Sequence, residues 1–170
     1  MLTSLGTIIL TADSVRDGVD QKIKDELTKV YGLNLVFEKK CFITYEQACK
    51  IYPRLVHKYF FSALAHNMTF GPSILGLYEG VDIYNVLKVA KGTFRFIDNQ
   101  IQKSGLRLKY QGLTKEELIK SGYQDEQLFY RMFEYRIHTC DDADDSLFVY
   151  NLLLNKEYPT LLAIKESVGL

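Results

Sequence analysis

Apolar and polar positions alternate along the chain in the spacings of short strands and amphipathic helices. Residues 5–11 (LGTIILT) are apolar and β-branched, which predicts a buried strand, and 33–42 alternate like a second strand. Between them, an apolar face that ends at Gly32 predicts a helix. Residues 73–79 (SILGLYE) predict a third strand. The first half of the chain is therefore expected to alternate strands with helices.

Two capping boxes predict where helices begin. Thr44 is followed by Gln47, and Thr114 is followed by Glu117, at the spacing in which the two side chains cap each other's backbone N–H. The remaining predictions are a helix over 55–68, one between Asp82 and Gly92, one over 142–154, and strands over 106–110 and 132–138. This order predicts a mixed fold of helices packed on a small antiparallel sheet.

Composition narrows the class of protein. The chain has 170 residues, 47% of them hydrophobic, which suits one domain with a substantial core. Its 21 basic and 21 acidic residues balance, so a nucleic-acid partner is not expected. No stretch approaches the roughly 20 apolar residues that cross a bilayer, so no membrane partner is expected. The three cysteines are widely spaced without a CxxC pair, which favours reduced thiols and a cytoplasmic location.

The densest group of chemically active residues is RIHTCDDADDS, residues 136–146. By itself His138 fits a nucleophile, a metal ligand or a structural histidine, and the structural role is the commonest at a strand end. A metal shared with Cys140 needs further ligands, and none stands at an obvious spacing, so no metal site is predicted. The aspartates that follow fit a capped helix start. The alternatives are that one of them orients His138 or that they bind a metal.

Four segments, in order, resemble the nucleoside diphosphate kinase family. They are TIILTADSVRDG (7–18), YFFSALAHNMTFGP (59–72), LYEG (77–80) and RIHTCDDADDS (136–146). The second resembles the family's Phe-Phe … Met-x-x-Gly-Pro segment, and the last its Ile-His-Gly-Ser-Asp-Ser segment. The resemblance implies an α+β fold, a ferredoxin-like βαββαβ arrangement with an antiparallel sheet. It implies a single domain over 1–154 with an insertion at about 111–130, followed by a C-terminal tail over 155–170.

The resemblance also implies a reaction. The family moves a γ-phosphate from a nucleoside triphosphate to a nucleoside diphosphate through a phosphohistidine, with Mg²⁺ carried by the nucleotide phosphates. Nucleoside di- and triphosphates are then the expected partners, together with further copies of the chain in a homo-oligomer. His138 matches the family's nucleophile, and a neutral imidazole has a nucleophilic nitrogen at neutral pH.

The resemblance assigns further roles residue by residue. Nucleotide-binding positions fall at Tyr52, Phe60, Leu64, Lys88, Arg107 and Thr11. Phe60 matches the aromatic residue that stacks on the base, and Tyr52 matches the tyrosine near the nucleophile. Arg107 matches a phosphate-binding arginine, while Lys88 replaces another and lacks its bidentate fork.

Several positions depart from the family pattern. Thr11 stands where the family has a phosphate-binding lysine, Tyr135 where it has an asparagine that contacts the ribose, and Val149 where it has the glutamate that orients the histidine. Losing one of three phosphate cations costs about 2–4 kcal/mol of transition-state stabilisation, a factor of about 10²–10³ in rate. Two functions therefore remain open: a divergent phosphotransferase, and a catalytically impaired member that binds nucleotides or proteins.

Overall fold

The structure, a computed structural model, describes residues 2–97 and 100–155. Its strands are β1 (Thr3–Leu10), β2 (Asn34–Cys41), β3 (Ser73–Val81), β4 (Phe94–Ile97), β5 (Gln100–Lys103) and β6 (Ile137–Thr139). Its helices are α1 (Ala12–Arg16), α2 (Asp20–Lys29), α3 (Tyr45–Ile51), α4 (Phe61–Thr69), α5 (Ile83–Lys91), α6 (Gly105–Lys109), α7 (Lys115–Lys120), α8 (Asp125–Met132) and α9 (Ala143–Leu154). Within these ranges, none of the helices has the length and apolar character that a bilayer crossing requires.

Four strands form one antiparallel sheet in the order β2-β3-β1-β6. β1 is central: it pairs along its length with β3, and its C-terminal end pairs with β6, where Ile9 lies opposite His138. β4 and β5 form a separate hairpin. The sheet with its intervening helices confirms the predicted α+β, ferredoxin-like arrangement.

The core lies on both faces of the sheet. Ile8 and Leu10 belong to the apolar cluster that includes residues of α2 and α5, and Ile9 belongs to the cluster that includes residues of α3 and α4. Successive side chains of a strand point to opposite faces, so a strand covered on both sides must be apolar at consecutive positions. This explains the unbroken apolar run in β1.

Helix starts predicted from capping boxes agree with the structure. Thr44 and Gln47 form a reciprocal capping box at α3, and Thr114 and Glu117 form another at α7. The predicted insertion at about 111–130 contains α7 and most of α8. The predicted tail over 155–170 lies outside the described residues, apart from Asn155.

Other boundaries differ from prediction. The first predicted helix is two helices, α1 and α2, because Gly18 adopts a left-handed φ of 66° between them. The helix predicted over 55–68 begins only at Phe61. The strand predicted over 106–110 is wrong, because this segment forms α6. Leu106 and Tyr110 both pack in the apolar cluster that includes residues of α2 and α5, here called the α2–α5 cluster. Residues four apart lie on one face of a helix, and they also fit the alternating pattern of a strand.

The strand predicted over 132–138 is also shorter in the structure. α8 extends to Met132, and Arg136 has a left-handed φ of 66° directly before β6. The Arg136 side chain is only 2% exposed. Its guanidinium donates to Asp17 Oδ2 at 2.7 Å, to the Asp13 carbonyl at 2.8 Å and to the Tyr110 carbonyl at 2.8 Å. These bonds hold the start of β6 against α1.

Glu134 extends this ion network. Its carboxylate lies 3.2 Å from Arg136 Nη2, 2.6 Å from Arg16 Nη2 and 2.8 Å from Arg131 Nη1. The network therefore joins α1, α8 and the segment before β6. A buried charge that loses its partner is costly, so the network stabilises the position of β6 only while it is complete.

We expect Arg136→Met to lower the free energy of unfolding by about 3–5 kcal/mol, because it leaves the carboxylates of Asp13, Asp17 and Glu134 without their shared buried cation. Arg95→Met is the matched control, since Arg95 is exposed on β4. Denaturant unfolding measures both. Equal effects of the two substitutions would contradict the assigned role of the network.

Candidate functional site

A cavity of about 540 Å³ adjoins β6. Its apolar lining is Ile51, Pro53, Leu55, Phe60, Leu64, Phe94 and Phe96. Its polar lining is Tyr52, Arg54, Lys91, Arg107, Tyr135, His138, Thr139, Asp141, Asp142 and Asp145. The rings of Phe60, Phe94 and Phe96, here called the aromatic wall, therefore share one cavity with a group of charged side chains. Phe94 and Tyr135 line the cavity without closing it.

Most of the predicted site residues meet there. Tyr52, Phe60, Leu64, Arg107 and His138 all line the cavity. They come from four separate segments of the chain, namely the turn after α3, the start of α4 with its N-cap, α6 and β6.

Lys88 and Thr11 are the exceptions. Lys88 is exposed and does not line the cavity itself, but lines an adjoining depression that shares Lys91 and Arg107 with it. Thr11 is fully buried at the N-cap of α1, where its hydroxyl donates to Asp13 Oδ1 and its backbone N–H donates to the Arg136 carbonyl. Its hydroxyl and N–H are therefore both engaged within the fold. The structure does not bring these two predicted nucleotide-binding residues to the cavity.

His138 occupies the middle of β6 and is 8% exposed. Its Nδ1 lies 2.8 Å from the Tyr52 hydroxyl, and the two rings are nearly perpendicular at 84°. Its Nε2 is buried, and no hydrogen-bond partner for it is found among the described residues. Burial, together with the charges of Lys91 and Arg107, lowers the pKa of His138 to about 3. The imidazole is therefore neutral at pH 7.

Lys91 is a cation of the site that the sequence did not reveal. Its Nζ donates to the Thr139 carbonyl at 3.3 Å and lies 3.5 Å from Asp141 Oδ1. Burial lowers the pKa of Lys91, and the nearby charge of Arg107 lowers it further. The signal that could have found it is helical: Lys91 follows the buried Leu87 by one turn of α5, whereas Lys88 does not.

Arg107 is anchored to the backbone beside His138. Its Nε and Nη2 donate to the Ile137 carbonyl at 3.2 and 3.0 Å, and its Nη1 donates to the Gly92 carbonyl at 3.4 Å. A guanidinium has five N–H donors, so these three bonds leave about two for a ligand. The group is therefore both positioned and able to bind an anion.

The aromatic wall is built from separated segments. Phe60 stacks on Phe133 with centroids 5.6 Å apart and an interplanar angle of 8°, and Phe96 lies 5.7 Å from Phe133. Phe96 belongs to the β4–β5 hairpin, which the sequence did not predict, and so it was missed as a site residue.

The residues after His138 form a capped helix start, as predicted. Asp142 caps α9 by accepting from the Asp145 N–H at 2.8 Å, and Asp145 accepts from the Asp141 N–H at 3.0 Å. Val149 is fully buried in the core. None of these side chains hydrogen-bonds His138 Nε2, so the ring is held by Tyr52 rather than by a carboxylate.

The sequence matches the family model for nucleoside diphosphate kinase over residues 6–128, more than half of the chain. The chain belongs to the nucleoside diphosphate kinase family. The matched range ends before His138, so the place of this family member's histidine in the cavity rests on the structure. A search of curated proteins finds no match.

Solved nucleoside diphosphate kinases share the fold. The enzyme from Encephalitozoon cuniculi is 17% identical with a TM-score of 0.65, covering 96% of this chain and 98% of its own. The enzyme from Halobacterium salinarum, in complex with CDP, is 18% identical with a TM-score of 0.63, covering 96% and 99%. The enzyme from Borrelia burgdorferi, with bound vanadate and ADP, is 19% identical with a TM-score of 0.62, covering 93% and 94%. At these identities the similarity establishes the fold.

We expect Tyr52→Phe to lower the free energy of unfolding by about 0.5–1.5 kcal/mol and to shift the ¹⁵N resonances of the His138 ring, because it removes one hydrogen bond and keeps the aromatic ring. Tyr59→Phe is the control, since Tyr59 is 64% exposed. Denaturant unfolding and NMR provide the two readouts. An unchanged His138 resonance would contradict the bond.

Proposed function

We propose that this chain is a phosphotransferase that moves a γ-phosphate from a nucleoside triphosphate to a nucleoside diphosphate through a phosphohistidine at His138. The observation that carries the proposal is that His138 shares one cavity with an aromatic wall and with the cations Arg54, Lys91 and Arg107, of which the last two are close enough to lower its pKa. A nucleotide matches this arrangement, since its charged chain of phosphates suits the cations and its flat aromatic base suits the aromatic wall.

Lys91 and Arg107 would bind the phosphates. Phosphoryl transfer depends mainly on placing the reactants and on positive charge around the moving group. Arg107 is fixed by its bonds to backbone carbonyls, so little reorganisation is needed when a phosphate arrives. Lys91 supplies a second charge in the cavity, where the family's lysine position holds the uncharged Thr11. Mg²⁺ would arrive as part of the nucleotide, bound to its phosphates.

His138 Nδ1 would be the attacking nitrogen. In the neutral ring with its proton on Nε2, Nδ1 has the free electron pair, and the Tyr52 hydroxyl donates to it. Attack forms the Nδ1–P bond while the bond from phosphorus to the bridging oxygen of the nucleoside diphosphate breaks. The second nucleoside diphosphate then takes the phosphoryl group by the reverse step. Tyr52 has to release Nδ1 before attack and is placed to donate to a phosphate oxygen instead.

Phe60, Leu64 and Phe96 would hold the base. Stacking on aromatic rings tolerates different bases, because every base has a flat π face. This part of the proposal therefore predicts weak discrimination among nucleotides.

Assembly into a homo-oligomer and a cytoplasmic location are also proposed, as family properties. Light scattering on the purified chain would test the first, and fractionation of cells would test the second.

Incubation with γ-labelled ATP and Mg²⁺ should give acid-labile phosphate on the protein at up to one phosphate per chain. His138→Ala should abolish the label, because it removes the attacking nitrogen. His57→Ala is the matched control, since His57 is exposed and outside the cavity. Absence of label on a folded wild-type chain would refute the phosphotransferase.

Two lysines on one helix allow a second test. Lys91→Met should slow phosphorylation by about 10²–10³-fold, the effect of removing one charge-stabilising donor. Lys88→Met should have a much smaller effect, because Lys88 lies outside the cavity. Single-turnover labelling rates give the comparison. The reverse order would favour the sequence assignment of Lys88 over Lys91.

A catalytically impaired nucleotide-binding protein is the second candidate. The observation that favours it is the buried Nε2 of His138, for which the described residues provide no hydrogen-bond partner. Without an orienting carboxylate, the phosphohistidine loses a stabilising partner. This candidate predicts thermal stabilisation by nucleotide, equivalent to about 2.7 kcal/mol at 100 times the dissociation constant, with no phosphate label.

A further inference from the structure

Three potential metal ligands meet beside the cavity. His138, Cys140 and Asp145 each offer one ligand atom, and these atoms lie within 4.8 Å of one another. Cys140 directly follows β6, and its N–H donates to the Thr7 carbonyl of β1 at 3.2 Å, which continues the strand pairing. His138 and Cys140 therefore point to the same face of the sheet, and Asp145 approaches from the first turn of α9.

The imidazole is arranged as a metal-binding histidine requires. Such a ring gives one nitrogen to the metal, while a second group hydrogen-bonds the other nitrogen and sets its orientation. Here Tyr52 holds Nδ1 at 2.8 Å, and Nε2 is left buried without a hydrogen-bond partner among the described residues. A buried polar atom in this state is costly, and native structures contain few of them. In the tautomer with its proton on Nδ1, the ring would donate to the Tyr52 hydroxyl, and a cation would take the electron pair of Nε2.

The donor set selects the class of cation. One imidazole nitrogen, one thiolate sulfur and one carboxylate oxygen are ligands that Zn²⁺ accepts together. Mg²⁺ and Ca²⁺ prefer oxygen ligands alone. Cys140 is 1% exposed, and burial together with the neighbouring Asp145 raises the pKa of its thiol. Metal binding would therefore release the thiol proton to solvent, and the fold would shield the metal–sulfur bond.

We propose that His138, Cys140 and Asp145 form a tetrahedral site for Zn²⁺ or a similar thiophilic divalent cation, with the fourth position open to the cavity. Zinc–ligand distances of about 2.0–2.3 Å put tetrahedral ligands about 3.5 Å apart, so the atoms, now within 4.8 Å of one another, have to approach by up to about 1.3 Å. Asp145 is half-buried on the first turn of α9, where a side-chain rotation provides this movement.

The proposed cation would bind Nε2, while Nδ1 stays beside Tyr52. A neutral ring that gives its Nε2 electron pair to a metal has its proton on Nδ1, so the metal-bound ring could not attack phosphorus. The metal-bound and phosphotransferase forms of His138 are therefore mutually exclusive. The metal site can still be tested apart from the proposed function, since metal binding requires neither nucleotide nor phosphoryl transfer.

Cobalt binding to the full-length, tag-free chain tests the site, after metal is removed with a chelator. Titration with Co²⁺ should give the intense visible bands of a tetrahedral complex and a thiolate-to-cobalt charge-transfer band. Zn²⁺ should remove both with a dissociation constant below about 1 µM. A weak octahedral spectrum, no thiolate band, or a weaker zinc affinity would overturn the proposal, and these readouts on the wild-type chain need no variant.

Matched substitutions assign the ligands. Cys140→Ser and Asp145→Asn should each weaken binding at least about 100-fold, since even residues that only support metal ligands cost 10–100-fold. Cys49→Ser and Asp144→Asn should change it less than about threefold, because these residues stand outside the cluster. Thermal melting confirms that each variant is folded. Asp145→Asn is nearly isosteric on a partly exposed turn, so it tests the site even if Cys140→Ser fails to fold. Binding that survives both ligand substitutions would refute it.

Discussion

The pairing of β6 with β1 is the constraint on which the site depends. Only three residues of β6 enter the sheet, and the middle one is His138, opposite Ile9. Side chains that face each other across an antiparallel pair lie on the same side of the sheet, so His138 is directed to the α3–α4 face. A slip of one residue would turn the imidazole to the other face. The buried ions around Arg136 hold the chain immediately before β6, and this makes so short a strand specific.

The same burial that positions His138 also determines its chemistry. A ring that is largely removed from water, close to Lys91 and Arg107, stays neutral, which leaves a nitrogen with a free electron pair. The two cations are themselves partly buried and bound to backbone carbonyls. In such a setting an anionic ligand interacts with them more strongly than it would in bulk water. The cost is that Nε2 has no internal partner among the described residues.

This cost connects the two proposals. The phosphotransferase would need the ring proton on Nε2 and a free electron pair on Nδ1, whereas the proposed metal site would need the reverse. A histidine at phosphorus usually needs its second nitrogen oriented by another group. Val149 cannot do this, so Nε2–H has no acceptor among the described residues in the phosphotransferase form, and Nε2 would lose its proton in the metal-bound form. A bound cation would therefore block phosphorylation of His138 and would not replace the orienting carboxylate.

The features that the sequence determined by itself depend on neighbouring residues or on a regular spacing of apolar residues. The apolar runs of β1 and β3, the capping boxes at Thr44 and Thr114 and the capped start of α9 follow from neighbouring residues, and the structure contains all of them. Four ordered segments also predicted the family, and five of the seven predicted site residues line the cavity.

Tertiary structure alone decided the rest, because distant contacts outweigh local preference. Five residues at 106–110 fit a strand as well as a helix until Leu106 and Tyr110 meet the α2–α5 core. Helical spacing puts Lys91 on the same side of α5 as Leu87, but only the packing of the helix brings that side to the cavity. The approach of Asp145 to His138 and Cys140 depends on where α9 docks on the sheet. No spacing along the chain encodes that distance, since the docking is the sum of contacts made by residues far apart in sequence.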